Sequence, residues 1–212
     1  MISLFKKGKQ KVQRSLTRPE ELQAGDIIVL KERRSLPLVL QGQQLEVTNV
    51  GTYQYSDGIK KELTLRSIDN KTYFLSVNEN DGVPGLCFSI KIPRKVVITI
   101  FDEDEFGQLW DADYVTLHVN NKPDEYASWL SDDYKQDISE AEGYYYDRDC
   151  SDKPPSDLED DDGEEFRYHE CTSMLDNNYS LSVEVWADGD TEVFLEVTTP
   201  VDVIAEMWPH GD

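Results

Sequence analysis

From about residue 24 to residue 100 the chain is a succession of short alternating or β-branched runs, each closed by a turn rich in Gly or Asp. That rhythm restricts the fold to strand-rich architectures. Ile27-Ile28-Val29-Leu30 reads as a buried strand opened by Gly25-Asp26, and Leu45 to Val50 and Thr52 to Tyr55 read as the next two. Asp57-Gly58 is a two-residue hairpin signal, after which Glu62 to Ile68 alternates strictly. Asp69-Asn70 turns the chain into Thr72 to Val77, Asp81-Gly82 closes that strand, and Phe88 to Ile92 and Val96 to Ile100 supply two more.

Past residue 100 the periods mix. Asp102 to Trp110 predicts a short helix with acids in its first turn, where the helix dipole favours them. Tyr114 to Val119 predicts a strand, and Pro123 to Leu130 a helix with Pro near its start. The sheet pattern resumes at Phe166 to His169 and is clearest in a hairpin, Leu181 to Trp186 and Glu192 to Val197 around Asp188-Gly189. A last helix is predicted from Pro200 to Trp208. The hairpin Leu63 to Val77 and the hairpin Leu181 to Val197 echo one another, which raises an imperfect internal repeat beside the plainer reading of two similar amphipathic hairpins. The expected fold class is α+β and strand-dominated: antiparallel sheets or a partly open small β-barrel in two lobes, with few short helices. The expected divisions are a basic arm at 1–20, a β-rich lobe with a closing helix at 21–112, and an acidic α+β lobe at 113–212 whose loop at 150–165 has disorder-like composition.

Charge supports that division. The formal net charge is −22, yet residues 1–100 hold 16 basic and 10 acidic side chains, while residues 101–212 hold 5 and 33. A phosphate backbone would meet a repulsive field, so nucleic acid is not an expected partner. Lys6, Lys7, Lys9, Lys11 and Arg14 form a basic arm beside the apolar Ile2, Leu4 and Phe5. Peripheral contact with an anionic membrane surface is the functional reading of that arm, at about 1 kcal/mol per basic residue; a solvated tail is the plain one. The longest apolar run, Val96 to Phe101, falls well short of the ~20 residues that cross a bilayer. Cytoplasmic residence is therefore the expected location.

Candidate chemistry is sparse. The run Asp157-Leu158-Glu159-Asp160-Asp161-Asp162-Gly163-Glu164-Glu165 has the oxygen ligands a hard cation needs, but an EF-hand register would put Leu158 at the first ligand position. Weak divalent binding by charge density is what remains. Cys87, Cys150 and Cys171 lack any C-x-x-C spacing; His169 and Cys171, two residues apart on one strand face, could begin a metal site with Cys150 as a further ligand. No phosphate loop, nucleophile elbow or H-E-x-x-H is present, so no catalytic residue is assigned. Tyr144, Tyr145 and Tyr146 beside the acidic loop, with Asp160, Asp161 and Asp162 in it and Lys6, Lys7, Lys9 and Lys11 in the arm, are the candidate protein-binding residues.

The run Leu16-Thr17-Arg18-Pro19-Glu20-Glu21-Leu22-Gln23-Ala24-Gly25-Asp26, the pair Trp129-Leu130, Tyr144 to Asp149 and the ending Val203-Ile204-Ala205-Glu206-Met207-Trp208-Pro209 together resemble the YjfK-like bacterial family, which is often encoded beside phage-shock-protein-A-like membrane-stress proteins. The resemblance implies a soluble accessory protein in an envelope-stress or membrane-maintenance setting and offers no catalytic residues to carry over. The expected function is thus a non-enzymatic adaptor using an acidic surface and a basic arm on a protein partner. The alternative is an enzyme or small-ligand binder with a cleft between two lobes.

Overall fold

The computed structural model describes residues 14–80, 83–111, 113–155 and 162–211. Among them eleven strands, all paired antiparallel, form one sheet in the order β11-β1-β2-β3-β4-β5-β10-β9-β8-β7-β6. The strands are β1 (Ile27–Leu30), β2 (Gln44–Tyr55), β3 (Gly58–Ser67), β4 (Thr72–Asn80), β5 (Val83–Ile92), β6 (Thr116–His118), β7 (Asp133–Tyr146), β8 (Glu164–Ser173), β9 (Tyr179–Trp186), β10 (Thr191–Pro200) and β11 (Ile204–Trp208). A further pairing of β2 with β7 closes β2-β3-β4-β5-β10-β9-β8-β7 into an eight-stranded barrel, which corrects the partly open arrangement to a closed one. Four barrel strands come from each half of the chain, and the two halves meet at β5 with β10 and at β2 with β7.

The predicted hairpins at Asp57-Gly58, Asp69-Asn70 and Asp188-Gly189 are all present, with Asn70 at φ 60° and Gly189 at φ 92°, the left-handed conformations such turns require. Asp81-Gly82 lies outside the described residues. The helix predicted at Asp102 to Trp110 is α2 (Glu103–Gly107) continued by a 3-10 turn; Asp102 caps it, accepting from the backbone N–H groups of Asp104 and Glu105 at 3.0 Å each.

Three predicted elements change type. Val96 to Ile100 belongs to a helix, α1 (Arg94–Ile100): Val97 and Ile100, three apart, are buried while Ile98 between them is 50% exposed, so burial on one helical face overrides the β preference of a branched run. The helix predicted from Pro123 reduces to a 3-10 turn, Ala127–Trp129, which seats Trp129 against Tyr73 with ring centroids 6.1 Å apart. The last predicted helix is a 3-10 turn leading into β11, whose backbone pairs with β1 from Ile27↔Trp208 to Leu30↔Ile204. The elements that follow the two echoing hairpins therefore differ, Leu109-Trp110 lying in a 3-10 turn and Met207-Trp208 in a strand.

Strand alternation sorts the barrel residues into two faces of different chemistry. One set, including Leu63, Leu65, Tyr73, Leu75, Leu86, Phe88, Leu181, Val183, Leu195 and Val197, joins Val97, Ile100, Leu109 and Trp129 in the main apolar cluster. The other set points into the barrel, because its members meet across it: the Tyr53 hydroxyl of β2 donates to Glu184 Oε2 of β9 at 3.3 Å although β7 and β8 lie between those strands in the sheet. The apolar cluster therefore lies outside the barrel wall, covered by the segment from α1 to β6 and by the turn holding Trp129. The inside is polar.

Candidate functional site

The lumen is built from alternate residues of the barrel strands. Gly51, Gly143, Phe166 and Tyr145 show how closely its aromatic end is packed: a Cβ on Gly143 would stand 2.5 Å from Phe166 Cζ, and one on Gly51 2.5 Å from Tyr145 Oη. Tyr53, Phe166 and Tyr168 form a second buried cluster there, with Tyr55, Tyr145 and Trp186 against it. Their rings meet edge to face, Tyr53 with Phe166 at 5.5 Å and Tyr145 with Trp186 at 6.1 Å.

Beyond the aromatic end the lining turns ionisable. Lys60, Glu62, Glu170, Glu184 and Glu196 surround a small inner chamber of about 20 Å³ together with Ser76, Cys87, Ser89, Ser182 and Phe194. Seven of the eight barrel strands contribute to it. Tyr55, Lys60 and Glu170 also border a much larger cavity of about 990 Å³, so these three side chains form the throat between the two spaces. The larger cavity reaches the outside through the wall. Pairing of β3 with β4 ends at Glu62↔Ser76, and beyond that rung residues 58–61 and 77–80 form no pairs with one another. Lys61, Val77 and Asn78 from the two sides of this gap border the cavity, as do Tyr168 and Glu170 from the far wall.

The electrostatics follow from carboxyl groups held away from water. Glu62 faces Lys60 on its own strand, Tyr53 of β2, Tyr145 of β7, Glu184 of β9, and Glu192 and Glu196 of β10. Burial pushes its carboxyl up to about 8, against the pull of Lys60. Glu170 is pushed up to about 7, by burial first and Glu196 second. Glu184, 5% exposed, is held well above the carboxylate range by burial and by Glu62. Burial works against the Lys60 ammonium, but Cys87, Glu196, Glu170 and Glu62 around it outweigh that effect and hold it charged. The Cys87 thiol is pushed up to about 12 by burial, so it is an inert hydrogen-bonding group and not a nucleophile.

The residues singled out from sequence are dispersed. Tyr144, Tyr145 and Tyr146 do not form an exposed trio: they are the β7 rungs that close the barrel against Gln54, Tyr53 and Thr52, Tyr146 is 3% exposed, and Tyr145 packs on Tyr53 at 5.0 Å. Continuation of β7 through all three, with alternate side chains inside and outside the wall, is the physical reason. His169 and Cys171 do share a strand face, fully buried on the outside of the wall; His169 Nδ1 lies 3.2 Å from Gln136 Nε2, and the Trp110 ring sits 5.0 Å from the imidazole. Cys150 is buried elsewhere, its backbone N–H donating to Thr52 Oγ1 at 2.9 Å. Among the described residues no group of three or more His, Cys, Asp and Glu side chains is arranged to hold a metal ion. Asp162 is exposed and pairs with Arg148. Lys6, Lys7, Lys9, Lys11, Asp160 and Asp161 lie outside the described residues. Among the described residues no helix is long and apolar enough to cross a membrane.

Glu62, Glu170, Glu184 and Lys60 are the residues that sequence reasoning missed. One signal was present: Lys60 and Glu62 alternate with Lys61, Leu63 and Leu65, and Ser182 and Glu184 with Leu181 and Val183, so each strand carries a polar face. Only the barrel's closure shows that this face is enclosed. No protein-family model, no curated protein and no solved structure matches the chain.

Proposed function

We propose that the barrel is a binding protein for a small polar molecule, held in the lumen and admitted through the gap between β3 and β4. The observation that carries this reading is a cavity of about 990 Å³ that spans the gap, lined by lumen residues such as Tyr55, Lys60 and Glu170 and by residues on the outer side of the wall such as Leu63 and Leu75, at the top of the roughly 300–1,000 Å³ range of ligand pockets. The buried Glu184 and the partly buried Lys60, Glu62, Glu170 and Glu196 cost free energy in an empty barrel and gain partners in an occupied one. The site lies inside a barrel that both halves of the chain build together, in place of a cleft between lobes. Filling the cavity tests the reading. Asn78→Trp, at the edge of the gap, is expected to abolish the thermal stabilisation that a library of small polar compounds gives the natural protein, while circular dichroism stays unchanged. Equal stabilisation of both proteins by the same compounds would place binding elsewhere and overturn the reading.

A further inference from the structure

The inner chamber has a size and a lining that select a particular end group. Its volume of about 20 Å³ is close to that of one water-sized group, which needs at least about 10–15 Å³ on the same measure. Its wall carries the carboxyl groups of Glu62, Glu184 and Glu196, the last already accepting from Ser180 Oγ at 2.8 Å, with one ammonium, Lys60, at the throat. Two hydroxyls are left without partners. Ser89 is 6% exposed and Ser182 8%, both border the chamber, and among the described residues neither side chain makes a hydrogen bond. Both oxygens stay open to the chamber, and both can accept as well as donate. Among the described residues Glu62 likewise accepts no hydrogen bond, and Glu184 accepts one, from Tyr53. Tyr53 and Phe194 add aromatic rings to the same wall.

Resting on the reading of the lumen as a ligand site, we propose that the ligand ends in a primary ammonium group, which enters the inner chamber and donates to Glu62, Glu184 and the Ser89 and Ser182 hydroxyls while the rest of the molecule occupies the outer cavity. An –NH₃⁺ has three donors and no acceptor, the complement of this wall once its carboxyls are ionised, and it is compact enough for the chamber; a quaternary ammonium is not. A second ammonium further along the ligand would meet Glu170 at the throat and Glu20 and Asp57 in the outer cavity, three carboxylates against the opposing charges of Lys60 and of Lys61, the latter already paired with Asp149, so a diamine is expected to bind more tightly than a monoamine. Binding is also expected to expel protons. Lys60, Tyr53, Tyr55, Cys87, Tyr145, Glu184, Glu192 and Glu196 all face Glu62, and with its carboxyl raised by burial, an arriving cation favours the ionised form and displaces the proton.

Titration calorimetry of the natural protein with 1-aminobutane, 1,4-diaminobutane, tetramethylammonium, 1,4-butanediol and butyrate tests this. The expected result is binding of the two primary amines alone, tighter for the diamine, at least tenfold weaker in Glu184→Gln and in the near-isosteric Ser89→Ala. Heats that differ between buffers of different ionisation enthalpy would report proton release, with affinity rising from pH 6 to pH 8.5. If butanediol or butyrate binds, with Asn78→Trp abolishing that binding, the lumen is a ligand site and the ammonium assignment is overturned. If tetramethylammonium binds as well as 1-aminobutane, the chamber does not select a primary amine. No binding by any amine at millimolar concentration also overturns the assignment, and the library experiment with Asn78→Trp then decides the lumen reading separately.

Discussion

Glu62 shows what it costs to turn a polar strand face inward. Its carboxyl sits up to about 8 in the folded chain against the ordinary value of 4.5. An acid whose value is raised on folding binds more protons in the native state than in the unfolded one, so its contribution to stability declines as pH rises from about 4.5 through about 8. Glu62→Gln is therefore expected to leave the unfolding free energy nearly unchanged at pH 4 and to raise it at pH 8.5. The gain is bounded at roughly 5 kcal/mol by the shift at about 1.4 kcal/mol per pH unit. Denaturant melts at the two pH values measure this, and equal gains at both would refute it. Gly143 is the opposite case, a residue chosen for what it lacks. Gly143→Ala drives a methyl into Phe166 and is expected to destabilise the barrel by about 1–3 kcal/mol, with no such loss for the matching change at Gly107, where a Cβ would meet open space. Residue chemistry of this kind was only half legible in the sequence. The alternation of Lys60 and Glu62 with Leu63 and Leu65 shows that two faces differ, but period two carries no information about which face a closed sheet encloses.

At the scale of elements, legibility followed regularity. β3 and β4 alternate without interruption, and the two hairpin turns around them are local chemistry, so both are legible in the sequence alone. β7 was not. Its register shifts between Gln136 and Ile138 and again between Ile138 and Ala141, with Glu140 at φ 48°, and each shift resets the alternation that a sequence pattern depends on. Those bulges bend β7 so that its early part pairs with β6 and its last rungs meet β2. The seam itself is short, three residue pairs, and a side chain reinforces it: the Thr52 hydroxyl donates to the Arg148 carbonyl at 2.8 Å and accepts from the Cys150 N–H at 2.9 Å. Thr52→Val keeps the shape and removes both bonds, leaving a buried N–H and a carbonyl without that partner. A loss of about 1–3 kcal/mol is expected. Amide hydrogen exchange should quicken at residues 144–146 before it quickens in β9 and β10. Uniform acceleration across the barrel would show that the seam is not the weakest edge.

For the whole molecule, a net charge of −22 means that compaction works against self-repulsion. Raising ionic strength from low salt to about 0.15 M shortens the screening length to about 8 Å and is expected to stabilise the fold. Urea melts at two salt concentrations check the sign, and a midpoint that falls with salt would mean that attractive pairs such as Lys61 with Asp149, 2.7 Å apart, outweigh the repulsion. The division of charge along the chain is real, yet it does not divide the barrel: β2 to β5 and β7 to β10 complete each other's edges, and the lumen draws its carboxyls from both halves.

The pairing of β5 with β10 and of β1 with β11 also sets an order of events on the ribosome. Ile92 is synthesised about a hundred residues before Val193, its neighbour across the sheet, and Ile27 before nearly everything else that Trp208 must wait for. At roughly 5–20 residues per second the nascent β2 to β5 meander keeps an open edge for on the order of 5–20 s. A growing chain of this design is therefore exposed to strand-to-strand association during its own translation, and slowing elongation in the second half should lower the yield of folded protein more than slowing it in the first.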